Sequence, residues 1–201
     1  MIHYATRQKV IELSSIGAVN DRLFFAKQRF RDLELLNSGD LAGANISDRQ
    51  QLIQEFFFHL VGSIEFIAQV INTSKMLNIH PENVRPHRVC DHLDNNDPIK
   101  PLLTQLYPRT RNESLPQNPY SDEASHLRIL LIRHFVCHLG NNPFHFRQGS
   151  TLPRSSLVLD PRELFDPNVT NPRSSRVAAL DELNHFFVLV ENKCRRIIAY
   201  L

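Results

Sequence analysis

All twelve prolines of this 201-residue chain lie between Pro81 and Pro172, and that clustering limits the possible folds more than any other feature of the sequence. Inside a helix, proline removes a backbone donor and clashes with the preceding turn, at a cost of about 3 kcal/mol. Long helices are therefore expected only in the proline-free windows 1–80, 120–142 and 173–201. Gly39 and Gly43, set among Asn37, Ser38, Asp40 and Asn45, split the first window into two arms joined by a loop. Four long helices follow, and with them an all-α, four- to five-helix bundle in a single domain spanning 1–201.

The first helix is expected from Thr6 to Leu36, with Ile16, Val19, Leu23, Ala26, Phe30 and Leu33 at helical spacing. The second opens at Ser47-Asp48-Arg49-Gln50, a capping-box pattern. Its apolar stripe is Ile53, Phe56, Phe57, Leu60, Ile64, Ile67, Ala68 and Ile71, which leaves Phe58 and Phe66 off the stripe and in need of a loop or a second subunit. The third helix runs from Ser121-Asp122-Glu123 to a stop at Gly140, and is apolar nearly all round, as a central helix would be. The fourth, after Ser174-Ser175, carries Leu180, Leu183, Phe187, Val190, Cys194, Ile197 and Leu201 in one stripe.

Two long Pro-rich segments remain, 79–120 and 141–175. The first holds seven of the prolines and has room for at most one short helix, Ile99 to Leu106. The second includes Ser155 to Leu159, a short apolar run compatible with a buried hairpin. Both segments are expected to be loops flanking a site or a partner surface.

Composition narrows the function by exclusion. A net charge of +2 does not hold nucleic acid by bulk charge, although it leaves room for a local basic site. Cys90, Cys137 and Cys194 form no CxxC pair, which argues for reduced thiols rather than a disulfide framework. Uninterrupted apolar runs fall far short of the ~20 residues that span a bilayer, and the basic, polar start of the chain shows no signal peptide. A cytoplasmic location and no membrane partner are the resulting expectations. Neither GxxxxGK[ST] nor GxGxxG is present, and six glycines leave none to build a phosphate-cradling loop.

The polar residues of the third helix are the informative ones. At ~100° per residue from Leu127, His134 falls at about 340°, His138 at about 20° and Arg133 at about 240°. The two histidines thus stack on the apolar side while Arg133 lies on its flank. A guanidinium on so apolar a helix is costly unless it is paired or faces a solvated crevice. Capping of the helix C-terminus by these cationic side chains is the structural alternative. Glu65, in the second helix, is either a partner for Arg133 or an exposed flank residue beside Gln54 and Gln69.

Arg133-His134-Phe135-Val136-Cys137-His138 resembles the R-x4-H signature of the HEPN superfamily, in which a polar residue, here His134, follows the arginine. Residues 50–79 are similar to the second helix of such bundles. The resemblance implies a helical bundle, usually paired as a homodimer, that cleaves RNA without a metal or other cofactor, as a toxin or defence nuclease with an antitoxin or other protein partner. It also implies roles: His138 as general base or acid, Arg133 as the clamp on the phosphate, and His134 as an orienting or second proton-handling group. Two alternatives stand beside it. One is a binding module of the same fold without catalysis. The other is a metal-binding helical protein using His134, Cys137, His138 and His145, or Cys90-Asp91-His92 after His87.

Overall fold

A computed structural model of the chain describes residues 2–38, 46–107, 129, 144–147, 156–159 and 177–201. Among these, five α-helices dominate: α1 (Ile2–Ser38), α2 (Ile46–Ser74), α3 (Pro86–His92), α4 (Ile99–Leu106) and α5 (Ala179–Ala199). The described chain is a helical bundle. It also carries a small antiparallel sheet of three strands, β1 (Phe144–Arg147), β2 (Ser156–Leu159) and β3 (Val177–Ala178), in the order β1-β2-β3. Phe144 pairs with Leu159 and Arg147 with Ser156, and Leu159 then pairs with Val177.

α1 and α2 form an antiparallel hairpin, as the cross-helix contacts show: Leu36 meets Arg49, Arg29 meets Glu55, and Arg22 meets His59. The expected stripes make the seam. Val19, Leu23, Ala26, Phe30 and Leu33 are buried from α1, and all eight stripe residues of α2 are 1 % exposed or less. Val61, Ser63 and Val70 are enclosed as well, so α2 is buried on most of its circumference and serves as the central helix. By length and composition α2 could cross a membrane, but 61 % of that window is buried inside the protein.

Aromatic side chains link the long helices in sequence. The ring centroids of Phe30 and Phe56 lie 6.5 Å apart, those of Phe56 and Phe57 5.2 Å, and those of Phe57 and Phe186 6.2 Å, so the chain runs from α1 through α2 to α5. Edge-on and tilted pairs of this kind add to area burial. α5 presents Leu183, Phe186, Phe187, Val190, Cys194 and Ile197 to the core, with Asp181 and Glu182 in the first turn and Arg196 in the last, where the helix dipole favours each sign. Ile129 is helical and 1 % exposed within the same core. The rest of the expected third helix lies outside the described residues.

The segment 79–107 is not a site-flanking loop. Proline is well placed at the first position of a helix, where its missing N–H has no acceptor to satisfy. Pro86 opens α3 in this way after an extended Arg85, and Pro81 opens a 3-10 turn over Pro81–Asn83. α4 matches the expected Ile99–Leu106, with Pro101 in its first turn. Ile79, Val84, Val89, Leu93, Ile99, Leu102, Leu103 and Leu106 are buried, so this segment forms part of the core. In 141–175 the described residues are strands. Phe144–Arg147 alternates apolar and polar residues with the period of two that a strand requires. β2 occupies all but the first residue of the anticipated hairpin segment. α2 begins at Ile46, which places Ser47 in its first turn rather than at the cap. Val177–Ala178 is strand, and α5 starts only after it.

Side-chain clasps hold the turns. Asn72 donates to the Ile79 carbonyl at 2.9 Å and accepts from the Ile79 amide at 3.1 Å, closing a turn in which Met76 and Asn78 adopt positive φ. Lys100 donates to the Leu93 carbonyl and to Asn95. Asp97 accepts from the Ile99 amide at 2.9 Å and pairs with Lys75 at 3.0 Å, joining the end of α2 to the start of α4. Burial raises the pKa of Asp97, but the Ile99 amide and Lys75 outweigh it and hold the carboxyl below its ordinary value. Replacing Asp97 with alanine is expected to cost about 1 kcal/mol in urea denaturation. A carboxyl with a depressed folded-state pKa stabilises above its unfolded pKa, and that contribution is lost as pH falls through the folded value. The difference between wild type and Asp97→Ala should therefore shrink as the pH is lowered below ~4.

Candidate functional site

Arg133, His134 and His138 lie outside the described residues, as does Cys137. The Glu65–Arg133 pairing has only one described member, and Glu65 is an exposed residue of α2. His145 lies in β1, opposite Val158. The second cluster of the metal-binding alternative, His87 with Cys90-Asp91-His92, does not assemble among the described residues. Cys90, Asp91 and His92 are consecutive on α3, so their side chains diverge by about 100° each. Cys90 is buried against Thr104, whereas Asp91 and His92 are exposed, and His92 Nδ1 is bonded to the Arg88 carbonyl at 2.8 Å. Among the described residues, no group of three or more His, Cys, Asp and Glu side chains converges on a point that could hold a metal.

The described cleft with chemistry in it lies between α1 and α2. It has a volume of about 350 Å³ and is lined by Ala18, Asp21, Arg22, Phe25, His59 and Phe66. Arg22 Nη1 lies 3.0 Å from His59 Nδ1. A guanidinium can only donate, so Nδ1 is the acceptor and neutral His59 carries its proton on Nε2. The Arg22 guanidinium lies over two rings, 4.8 Å from the centroid of Phe58 and 5.5 Å from that of Phe66. The Phe25 ring is 5.2 Å from the imidazole and tilted by 31°. The helical hairpin explains the convergence: Phe58, Gly62 and Phe66 lie at i, i+4 and i+8 on one flank of α2, and antiparallel pairing brings Arg22 across it. The Arg22 side chain runs over Gly62, where a methyl would meet its Cδ at 3.5 Å, an ordinary contact.

The electrostatics of the cleft are asymmetric. Arg29 is satisfied by Asp32 at 3.1 Å and Glu55 at 3.4 Å. Among the described residues no carboxylate lies within ion-pair distance of Arg22. Burial and the Arg22 charge hold His59 below its ordinary pKa of 6.5, against an opposing influence from Glu55. Three aromatic residues at this hairpin are open to solvent: Phe24 is 56 % exposed, Phe25 44 % and Phe58 53 %. Phe58, expected to need a neighbour, thus has Arg22 on the ring and solvent over about half its surface. The off-stripe phenylalanines were the visible sequence signal for this place. The pairing with Arg22 was not visible, because it depends on the register between two helices.

Cys194 lies on the core face of α5 and is fully buried. It is sealed in the core beside Ser63, whose hydroxyl donates to the Leu60 carbonyl at 2.6 Å. Burial pushes the thiol up to about 12.

No protein-family model matches this chain, and no curated protein or solved structure shows significant similarity to it.

Two measurements check this account. NMR titration should place His59 below 6.5, and Arg22→Gln should raise it. Because the folded-state pKa is depressed, protonation favours the unfolded chain, so stability should begin to fall as pH drops through ~6.5 and level off below the folded value. In the native protein Cys194 should resist iodoacetamide under conditions that label it fully in denaturant, as read by peptide mass mapping.

Proposed function

We propose that this chain is a HEPN-type bundle acting as a metal-independent endoribonuclease of a toxin or defence kind. The observation that supports the reading is Ile129: helical and buried in the common core, it fits a third long helix of the kind on which the R-x4-H signature resides in that family. In this reading His138 withdraws the proton from a ribose 2′-hydroxyl, which attacks the adjacent phosphate, and returns a proton to the leaving 5′-oxygen. Arg133 clamps the non-bridging oxygens as charge builds on them, and His134 orients the imidazole or handles a second proton. No resident cofactor is required. A homodimer places two signatures about one crevice, and a protein antitoxin in a cytoplasmic setting is the partner that such a nuclease would need.

A second reading, a binding module of the same fold without catalysis, draws on the solvent-exposed Phe24, Phe25 and Phe58. Incubation of the purified chain with total RNA in the presence of a chelator separates the two. Cleavage that persists in chelator and falls by at least ~100-fold in both Arg133→Ala and His138→Ala supports the nuclease. Cleavage that requires a divalent metal, or that survives both substitutions, overturns it. Absence of cleavage with all variants folded leaves the binding module.

A further inference from the structure

We propose that the Arg22–His59 contact is a proton-operated latch on the α1–α2 hairpin. Protonation of His59 expels the Arg22 guanidinium from over Phe58 and Phe66 and uncovers an aromatic flank. The closed geometry tolerates one protonation state alone. Arg22 Nη1 donates to His59 Nδ1 at 3.0 Å, and a guanidinium has no lone pair to offer in return. A proton on Nδ1 removes the acceptor and sets N–H against N–H, with a positive charge on each side. Like charges at this separation repel strongly in a half-buried site, whereas cation–ring contacts at 4.8 Å and 5.5 Å are weak where solvent reaches them. Arg22 is the member that leaves. No carboxylate among the described residues holds it, and Asp21, adjacent in sequence, diverges from it by about 100° around the helix.

His59 has a second partner within reach. Glu55 lies four residues earlier on α2, the spacing at which helical side chains meet, with Oε1 accepting from Gln51 at 2.8 Å and Oε2 facing Arg29 at 3.4 Å. A carboxylate has about four acceptor positions, so the charged imidazole can join these partners. Among the described residues, the charged groups that act on His59 are Arg22 and Arg29 from α1 and Glu55 from its own helix, and Asp21 lines the same cleft. α5, which meets α2 at Phe57, contributes none of them. In the closed state burial and the two cations oppose the proton, and departure of Arg22 removes the larger cationic influence. The closed form therefore binds a proton more weakly than the open form, and acid shifts the population toward opening by as much as the two affinities differ. The step begins as pH falls through ~6.5 and is complete below the closed-state value. Phe58, already 53 % exposed, gains the face that Arg22 covered, and the part-buried Phe66 is reached from the cleft. The buried stripes beneath still join α1 to α2, so the opening is local. None of the residues proposed for RNA cleavage takes part, so the latch stands or falls separately from that reading.

Titration of the full chain from pH ~8 to ~5, followed by NMR and by binding of the dye ANS, tests the proposal. The Arg22 Nε resonance and reversible dye binding should both change with the midpoint of the His59 imidazole. Far-UV circular dichroism and NMR dispersion should stay native, which separates the latch from an acid molten globule. His59→Gln, whose side-chain carbonyl accepts from Arg22 at every pH, should lose the step. Glu55→Gln should move the midpoint to lower pH, because the charged imidazole loses its carboxylate; this variant stays informative if His59→Gln does not fold. Arg22→Gln should bind the dye at neutral pH as the wild type does in acid. The proposal is overturned if the Arg22 resonance does not follow His59, if the dye-binding step survives in His59→Gln, if Glu55→Gln leaves the midpoint in place, or if dye binding appears only together with loss of helix.

Discussion

Burial of α2 on most of its circumference is the constraint on which the rest of the structure depends. A helix with Ile53, Phe56, Phe57, Leu60, Val61, Ile64, Ile67, Ala68, Val70 and Ile71 all enclosed must be covered from several directions at once. α1 covers one side, α5 another, and the segment 79–107 packs against what remains. Full burial of side chains of this size is worth roughly 1.5–3 kcal/mol each before the entropy of ordering them is counted. The Phe30–Phe56–Phe57–Phe186 series is where these covers meet. The exposed flank of α2, from Phe58 to Phe66, is the part left over, and Arg22 lies across it.

The parts of the fold that were legible in the sequence are those set by a long, regular pattern. The stripes of α1, α2 and α5 are apolar at 3.6-residue spacing over many turns, and every described residue of those stripes is buried or partly buried. α4 was legible because Ile99 to Leu106 offers a complete short stripe. α3 was not. Pro86 reads as a breaker in a proline-rich segment, yet at the first helical position it costs nothing and suits the required φ. Four residues of alternation in β1 are too few to separate a strand from a loop, and its hydrogen-bond partner in β2 lies well along the chain.

The candidate site shows the same division more sharply. The signature residues Arg133, His134 and His138 were singled out by local spacing on one helix, which a sequence displays directly. The Arg22–His59 pair depends on which turn of α1 faces which turn of α2, and that register is fixed by the packing of the two apolar stripes rather than by any motif. His59 also sits among apolar neighbours, where a single imidazole gives no hint that a guanidinium will reach it from another helix. The metal alternative at Cys90-Asp91-His92 illustrates the converse error: adjacency along the chain is not adjacency in space when the residues share a helix.

The link between Phe57 and Phe186 bears on how the molecule is made. During synthesis the α1–α2 hairpin emerges and closes early, through contacts between near neighbours, while the face of α2 that receives α5 stays uncovered until a long stretch of further chain has left the ribosome. Nascent molecules therefore carry a bare phenylalanine surface for much of their translation, and shielding by chaperones would be most needed in that interval.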